Sequence, residues 1–372
     1  MNWNWQQADW PHFRWEKAVL EALEAQFLQQ SGIFIGATQH FSEENKALLT
    51  VDMITGEAVK TSEIEGEYLN RESVQASICR NFGLKSDHQH ASPAERGIAD
   101  MMTDLYRNFS QPLSHDTLYH WHTSLTGGRH DLKDIGHYRT HAEPMQIISG
   151  PMGKTKIHFE APPSALMKKE MDQFITWFAQ TAPHARKALP ALTRAGIAHL
   201  YFVSIHPFED GNGRIARAIA EKSLSECLGT PTLIALSQTL QKQRKAYYQA
   251  LERNSYELNI TDWLVYFANT ILHAQQYSLN LVEFLIEKTK LYDRVKELLN
   301  ERQKKVIARL FREGLEGFTG GLSAENYISI TGTSRATATR DLQNLLENKV
   351  LIKHGQLKST RYYLNILHPV QR

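Results

Sequence analysis

The stretch His206-Pro-Phe-Glu-Asp-Gly-Asn-Gly-Arg-Ile-Ala-Arg217 is the most informative part of this 372-residue chain. An apolar helical pattern over 185–203 precedes it, and a second helical pattern follows over 213–228. We therefore predict that a loop from His206 to Gly213 leads into a helix N-terminus. Backbone N–H groups and the positive end of the helix dipole make such a terminus a good anion site. We call this stretch the signature segment.

The polar residues of the signature segment suit phosphate chemistry. A histidine ordinarily has a pKa near neutrality, so His206 is a candidate general base. Asp210 is a candidate Mg²⁺ ligand, because Mg²⁺ usually takes one or two carboxylates together with substrate phosphates. Gly211 and Gly213 have no Cβ, so the backbone there can approach an anion closely.

Arg214 and Arg217 add a cationic helix face. They lie three residues apart, so they share one side of the helix and suit different phosphates of a polyphosphate. Each residue alone has an ordinary explanation, because a histidine before a turn is usually structural and helix arginines are usually solvated. The complete string is far more specific than its parts, and it predicts a polyphosphate site.

Composition sets loose limits on the class of protein. The length suggests two or three domains, and the 42% of hydrophobic residues allow a sizeable core. A net charge of +2 gives the whole chain no preference for nucleic acid or membranes. Cys79 and Cys227 lack metal-type spacing and suit a reducing cytoplasm. No signal peptide is expected, because the N-terminus lacks a basic n-region and an apolar h-region. No membrane partner is expected, because no stretch reaches the roughly 18 apolar residues of a spanning helix.

Most of the chain has the apolar spacing of amphipathic or buried helices. The segments with this pattern are 15–31, 44–60, 93–109, 114–125, 163–181, 185–203, 213–228, 239–254 and 260–300. The exception is 144–162, where two β-prone runs flank a Gly/Pro turn and predict a hairpin. The fold class expected for this part of the chain is therefore mainly α, a helical bundle with one β-hairpin.

The last seventy residues have a different character. Segment 301–372 holds 12 basic and 6 acidic residues, and three short helices are predicted near 302–313, 322–330 and 334–348. Two β-prone runs follow, so the order is that of a winged helix-turn-helix. The third helix would present Arg335, Thr337, Thr339 and Arg340 to DNA. A packing or dimerisation domain of the same fold, without DNA, remains open.

The signature segment resembles the motif of the Fic (filamentation induced by cAMP) family, His-x-Phe-x-[Asp/Glu]-Gly-Asn-Gly-Arg-x-x-Arg, and meets every defined position. The resemblance covers roughly 40–275 and implies the family's helical fold. It also implies a nucleotidyltransferase that moves AMP from ATP to a Ser, Thr or Tyr hydroxyl of a protein and releases pyrophosphate, with Mg²⁺ bound.

The resemblance assigns roles to residues of this chain. His206 would deprotonate the acceptor hydroxyl, and Asp210 would hold Mg²⁺. Arg217 would reach the γ-phosphate of ATP. The residues expected to contact the nucleotide from this segment are Gly211, Asn212, Gly213, Arg214, Ile215, Ala216 and Arg217.

Two further regions resemble parts of the family site. The 144–162 hairpin resembles the flap that pairs with an extended segment of the target protein, which strand addition would position; a structural hairpin is the alternative. Tyr247 and Tyr248 resemble the pair that lines the base pocket, although core residues would look the same. Asn254 is a weaker candidate for a ribose or base contact.

The stretch Thr61-Ser-Glu-Ile-Glu-Gly-Glu67 resembles the family's inhibitory motif, [Ser/Thr]-x-x-x-Glu-[Gly/Asn]. Thr61 and Glu65 lie four apart on one predicted helix face, and Gly66 completes the motif. In the family that glutamate pairs with the second arginine of the signature, here Arg217, so it would compete with the γ-phosphate. The other glutamates of this stretch are interpreted as solvated neighbours.

We therefore predict four regions. They are an aromatic-rich N-terminal extension (1–40), a Fic domain (41–280) with an inhibitory helix near 55–67, a linker helix (281–300) and a winged helix-turn-helix (301–372). The aromatic extension is interpreted as a strap packed on the core rather than as a partner site.

The expected partners are a target protein on the 144–162 hairpin and a second copy in a homodimer, and the expected location is the cytoplasm. Self-modification is left open, as is DNA binding through 301–372. The alternative functions are a nucleotide-responsive DNA-binding regulator and a pure interaction scaffold. The intact base and metal ligand argue against both, because neither function would need them.

Overall fold

The structure, a computed structural model, describes residues 2–39, 41–85, 90–150, 155–318 and 320–366. It is mainly helical, with two small antiparallel hairpins in the part described, which confirms the predicted fold class. The chain divides into two compact units, 1–276 and 277–372. No helix among the described residues is long and apolar enough to cross a bilayer.

The first unit contains most of the helices. They are α1 (Ala18–Gln39), α2 (Glu43–Ile64), α3 (Arg71–Asn81), α4 (Pro93–Asn108), α5 (His115–Thr126), α6 (Met167–Gln180), α7 (Ala191–Ile205), α8 (Asn212–Leu228), α9 (Leu236–Lys242) and α10 (Arg244–Arg253). Helix α11 (Thr261–Val295) includes the boundary between the units. Strands β1 (Gln146–Ser149) and β2 (Lys156–Glu160) form the hairpin predicted at 144–162, whose residues 151–154 lie outside the described ranges.

Helices α7 and α8 form the centre of the first unit. Helix α7 is apolar on all sides, as a fully buried helix must be, and every residue in it except Val203 is buried. Gly196 allows α11 to come close, because a Cβ there would lie 2.7 Å from a methyl carbon of Leu264. The signature segment begins directly after α7 and continues into α8, so these two helices fix its position.

Several predicted boundaries were wrong for local reasons. The helix expected from 185 begins after Pro190, since 182–189 folds into successive turns. The helix expected over 239–254 is interrupted at Gln243, whose backbone leaves the helical region. Helix α3 was not predicted, because its sequence is mostly polar and lacks a clear apolar stripe.

The aromatic N-terminal segment is a strap on the helical core. Trp10 packs edge-on against Tyr201 of α7, with ring centroids 5.2 Å apart. Asn4 is fully buried, and its amide donates to Ser204 Oγ at 2.8 Å. The indole N–H of Trp5 donates to the carbonyl of Glu160 at the end of β2, at 2.7 Å. The strap thus contacts both the helix that precedes His206 and the base of the hairpin.

The second unit has the order three helices and a hairpin. These are α12 (Glu301–Arg312), α13 (Ala324–Thr331), α14 (Arg335–Glu347), β3 (Leu351–His354) and β4 (Arg361–Leu364). Gly332, with a φ of 66°, ends α13, and the hydroxyl of Ser334 caps α14. The turn between the two helices is therefore only three residues long. Their apolar faces enclose a separate core around Leu342, Leu345 and Tyr327.

Candidate active site

His206 occupies a strained position at the end of α7. Its φ of 52° and ψ of 59° are left-handed, and its ring Nδ1 lies 3.3 Å from the carbonyl of Val203. A proton on Nδ1, donated to that carbonyl, leaves Nε2 with a lone pair for a substrate. Burial, together with the nearby charge of Arg139, lowers the pKa of His206 to about 4. The imidazole is therefore neutral at pH 7, which is the form a general base requires.

Arg139 holds the backbone around His206. Its Nε donates to the carbonyl of His206 at 2.9 Å, and its own N–H donates to the carbonyl of Pro207 at 2.9 Å. A second guanidinium N–H donates to the carbonyl of Pro162, just beyond β2. Arg139 is 1% exposed, and burial lowers its pKa to about 10. Sequence reasoning gave the segment 136–139 an architectural role by its resemblance to the family, but it did not link Arg139 to His206.

The loop after His206 is anchored by Phe208 and Asn212. Phe208 is fully buried and stacks on His122, with ring centroids 4.2 Å apart and planes 6° apart. The side chain of Asn212 accepts from the N–H of Phe208 at 3.0 Å and donates to its carbonyl at 2.7 Å. The helix therefore begins at Asn212, earlier than predicted. The side chain of Asn212 is thus engaged with the loop rather than with the predicted anion site.

Asp210 is an ionised carboxylate held by cations. Its Oδ2 accepts from Arg129 Nη1 at 2.7 Å, and its Oδ1 accepts from the N–H of Gly211 at 2.6 Å. Burial alone would raise the pKa of Asp210, but the charges of Arg214 and Arg129 and the Gly211 N–H outweigh it and lower that pKa. Arg129 also donates two hydrogen bonds to the carboxylate of Asp131. Sequence reasoning missed Arg129 because it belongs to no motif.

Glu65 lies in the cradle formed by Gly213. A Cβ on Gly213 would lie 2.2 Å from Glu65 Oε1, so this carboxylate fits only because the residue is glycine. Arg217, 1% exposed, donates to Glu65 Oε1 at 2.7 Å and to the hydroxyl and carbonyl of Thr61 at 2.7 and 2.9 Å. The Glu65 charge outweighs the effect of burial and raises the pKa of Arg217. The structure thus brings Thr61, Glu65 and Arg217 together.

The interpretation of Glu67 as a solvated neighbour was wrong. Its Oε2 accepts from Arg214 Nη1 at 2.7 Å, and the Arg214 side chain is only 6% exposed. Arg214 Nη2 also lies 3.5 Å from Asp210 Oδ1. Glu63, by contrast, pairs with Lys60 at 2.6 Å, away from both arginines. Each arginine of the signature segment therefore has its own carboxylate partner.

Of the other residues predicted to contact the nucleotide, only Tyr248 lies against Glu65. Tyr248 donates its hydroxyl to Glu65 Oε2 at 3.1 Å, and burial together with the Glu65 charge raises its pKa to about 12. Tyr247 is 1% exposed, with its hydroxyl 3.0 Å from His199 Nε2. Asn254 donates to the carbonyl of Ala250 within its own helix. Two other predicted residues, Ile215 and Ala216, are fully buried in the core.

The hairpin presents apolar side chains beside the site. Ile148 is 57% exposed, and the pairing of β1 with β2 is irregular between Ile147 and Ile148. On β2, His158 and Lys156 both pair with Glu252 of α10, at 3.1 and 2.7 Å. The hairpin is therefore fixed to the helix that contains Tyr247 and Tyr248.

Comparison with known proteins identifies the family to which the central domain belongs. Residues 112–224 match the Fic/DOC family, and residues 3–84 match a domain of unknown function, DUF4172. Structures of a Fic family protein from Desulfovibrio desulfuricans G20 and of a Fic domain containing signaling protein from Bacteroides thetaiotaomicron VPI-5482 share the fold. Both have a TM-score of 0.53 at 19% identity, and they cover 92% and 69% of this chain and 95% of their own. The chain therefore contains a domain of the Fic/DOC family.

Two of the similar proteins have names that state an activity. A uridine 5'-monophosphate transferase of Xanthomonas campestris pv. campestris (strain 8004) is 40% identical over 193 residues, covering 44% of this chain and 35% of the relative. A protein adenylyltransferase Fic of Nematostella vectensis is 28% identical over 144 residues, covering 39% and 29%. The chain thus spans about a third of the length of the curated relatives it matches.

Proposed function

We propose that this protein is a nucleotidyltransferase that moves AMP from ATP to a Ser, Thr or Tyr hydroxyl of a protein and releases pyrophosphate. The observation that carries the proposal is the Glu65 carboxylate in the Gly213 cradle, at the N-terminus of α8. An anion already occupies the place where backbone N–H groups and the helix dipole favour negative charge. A phosphate of the nucleotide would take that place.

The chain's own residues then perform the chemistry. Nε2 of His206 takes the proton of the acceptor hydroxyl, whose oxygen attacks the α-phosphorus as the bond to pyrophosphate breaks. Arg214 and Arg217 hold the polyphosphate in line and neutralise its charge, which is the main requirement of phosphoryl-type transfer. Arg139 keeps His206 in its left-handed conformation.

The Asp210 carboxylate fits a magnesium ion. It is ionised and partly exposed, and a single carboxylate suffices when substrate phosphates supply other ligands. When bound, Mg²⁺ would supply charge neutralisation at the phosphates. Arg129 holds the carboxylate with a side chain that is 44% exposed and therefore easily displaced.

Tyr248 is the better placed of the two predicted base-pocket tyrosines. Its hydroxyl contacts Glu65, and its side chain is partly exposed beside the cradle, whereas Tyr247 is enclosed in the core. We propose that Tyr248 lies against the nucleotide. The apolar edge of β1, at Ile148, would receive an extended segment of the target protein.

The pairing of Glu65 with Arg217 supports autoinhibition within one chain. Because Arg217 is buried, its guanidinium cannot turn to solvent to meet a phosphate while Glu65 holds it. Thr61 supports the same guanidinium from the preceding turn of α2. Removing the carboxylate should therefore release activity.

Transfer of labelled nucleotide tests the proposal. We would compare wild type, Glu65→Gly and Glu65→Gly/His206→Ala with ATP or UTP labelled at the α-phosphate, and use Glu63→Gly as the matched control. We expect strong AMP transfer only for Glu65→Gly, with no gain for the control. Preferred transfer from UTP would replace AMP with UMP in the proposal. Equal, low activity of wild type and Glu65→Gly would refute the inhibition, and activity that survives His206→Ala would refute the base.

The second unit supports DNA binding as a second candidate function. The outward residues of α14 are Arg335, Ala336, Thr339, Arg340, Gln343, Asn344 and Glu347, and the predicted Thr337 is half-buried. Of the two acidic residues of α14, Glu347 is exposed at its C-terminal end, whereas Asp341 faces inward, where Arg302 and the hydroxyl of Tyr327 hold it at 2.8 and 2.9 Å. A winged helix-turn-helix of this kind would place α14 in the major groove. Salt-dependent binding of mixed-sequence duplex DNA that is lost on Arg340→Glu would support it, and unchanged binding would refute it.

The proposed location in the cell depends on ATP as the nucleotide donor. ATP as nucleotide donor suits the cytoplasm, and we propose that location. The homodimer and self-modification remain predictions, which light scattering and mass spectrometry of the incubated Glu65→Gly variant would test.

A further inference from the structure

We propose that Glu67 is a second inhibitory residue, which holds Arg214 as Glu65 holds Arg217. The two carboxylates lie two residues apart, and the two arginines lie three apart on α8, each pair joined at 2.7 Å. Glu65 and Glu67 both belong to the stretch 3–84, whose matching domain has no assigned function. This inference rests on the proposed nucleotide site and adds a second control on it.

The backbone explains how one short segment reaches both arginines. Helix α2 ends at Ile64, and Gly66 follows with a left-handed φ of 87°. Gly66 N–H then donates to the carbonyl of Glu63, and Glu67 N–H donates to the carbonyl of Ser62, both at 3.0 Å. These are the two bonds of a Schellman motif, which turns the chain back across the helix end. The turn brings Glu67 to the same side as Glu65.

The two contacts would control different parts of the nucleotide. Arg214 lies 3.5 Å from the candidate metal ligand Asp210, so it belongs to the phosphates nearest the metal. Arg217 lies one helical turn further along α8, with Glu65 in the Gly213 cradle. Loss of Glu67 should therefore strengthen the binding of both ADP and ATP. Loss of Glu65 should strengthen the binding of ATP far more than that of ADP.

The ion pair at Glu67 is suited to reversible release. The Glu67 side chain is 36% exposed while that of Arg214 is 6% exposed, so the carboxylate can leave to solvent and the guanidinium remains in place. A phosphate replaces one anion with another, and the buried Arg214 is left with a partner throughout. That exchange avoids the large cost of an unpaired buried charge.

Nucleotide binding, rather than transfer, provides the test. In a His206→Ala background, which prevents turnover, we would measure the Kd of Mg-ATP and Mg-ADP by calorimetry for Glu67→Gln, Glu65→Gln and the control Glu63→Gln. We expect Glu67→Gln to lower both Kd values by about fivefold or more, with no change for Glu63→Gln. Unchanged Kd values for Glu67→Gln would overturn the inference, whatever the transfer assay says of Glu65.

The turn itself offers an independent pair of variants. A Cβ on Gly66 meets no atom within 4 Å, so only its left-handed backbone restricts substitution. Asparagine adopts that conformation far more readily than alanine. Gly66→Ala should therefore tighten the binding of both nucleotides, and Gly66→Asn should bind them as the wild type does. Equal behaviour of the two variants would contradict the role assigned to the turn.

Discussion

The missing Cβ of Gly213 leads to a quantitative prediction for Gly213→Ala. The new methyl carbon would lie 2.2 Å from Glu65 Oε1, so the carboxylate must move by about 1 Å to reach an ordinary contact distance. That displacement breaks its bond to Arg217, and a bond between charged groups contributes about 1.5–3 kcal/mol. The better helix propensity of alanine returns up to about 1 kcal/mol. We therefore expect a net loss of about 0.5–3 kcal/mol in the free energy of unfolding.

The same substitution should behave differently once Glu65 is absent. In Glu65→Gly, the nearest remaining atom is Arg217 Nη1 at 3.2 Å, so Gly213→Ala should be neutral or stabilising by up to about 1 kcal/mol. The double-mutant cycle should give a coupling of about 1.5–3 kcal/mol between the two positions. Additive effects, within about 0.5 kcal/mol, would refute the claim that Gly213 makes room for this carboxylate.

Urea unfolding followed by tryptophan fluorescence measures this coupling in the right part of the chain. All seven tryptophans lie between Trp3 and Trp263, within the first unit, so the signal does not report on 277–372. With a denaturant slope of about 3 kcal/mol per molar, the coupling corresponds to about 0.5–1 M in midpoint. In the Glu65→Gly background, Gly213→Ala should also reduce AMP transfer about 100-fold, because the methyl group displaces a phosphate by about 1 Å.

Three other perturbations have defined outcomes. Because burial lowers the pKa of His206 to about 4, transfer by the Glu65→Gly variant should stay level from pH 7 to 5.5, where an unshifted histidine would lose about tenfold. Burial, together with the facing carboxylate of Glu57, raises the pKa of Glu221, so the folded protein binds that proton more tightly than the unfolded chain. The folded protein therefore loses stability as the pH rises above the ordinary pKa of 4.5. In urea unfolding, Glu221→Gln should be more stable than wild type at pH 8 and equal to it near pH 4.5. Arg129→Ala should reduce the Mg²⁺ needed for half-maximal transfer by up to about fivefold, since an exposed ion pair contributes up to about 1 kcal/mol, whereas an unchanged Mg²⁺ requirement would mean that Arg129 does not compete at Asp210.

The sequence predicted those parts of the site that are specified by contiguous residues. The signature segment gave His206 its place before a helix N-terminus, and the Thr61–Gly66 motif pointed to the contact with Arg217. The prediction for Glu67 was wrong because its contact with Arg214 depends on the turn at Gly66. The alternating Glu63, Glu65 and Glu67 do not indicate from sequence which way each side chain points.

Other residues could not be assigned because their roles depend on long-range packing. Arg139 reaches the carbonyl of His206 across 67 residues, and Arg129 reaches Asp210 across 81. Arg129 belongs to no motif, and the architectural role expected for 136–139 does not say which backbone groups Arg139 holds, so only the folded chain shows these two contacts. Helix boundaries failed for a local reason instead: the backbone breaks at Pro190 and Gln243 interrupt apolar patterns that would otherwise continue.

The strap contacts described above have a practical consequence for handling the protein. Asn4 reaches Ser204, two residues before His206, and Trp5 reaches the base of the hairpin. An affinity tag fused directly ahead of Trp3, or the few residues left after its removal, would lie next to the contacts that hold the helix ending before His206 and the base of the hairpin. Preparations tagged at the two ends could thus differ in specific activity although their core sequences are identical, so a C-terminal tag is the safer choice for kinetic work.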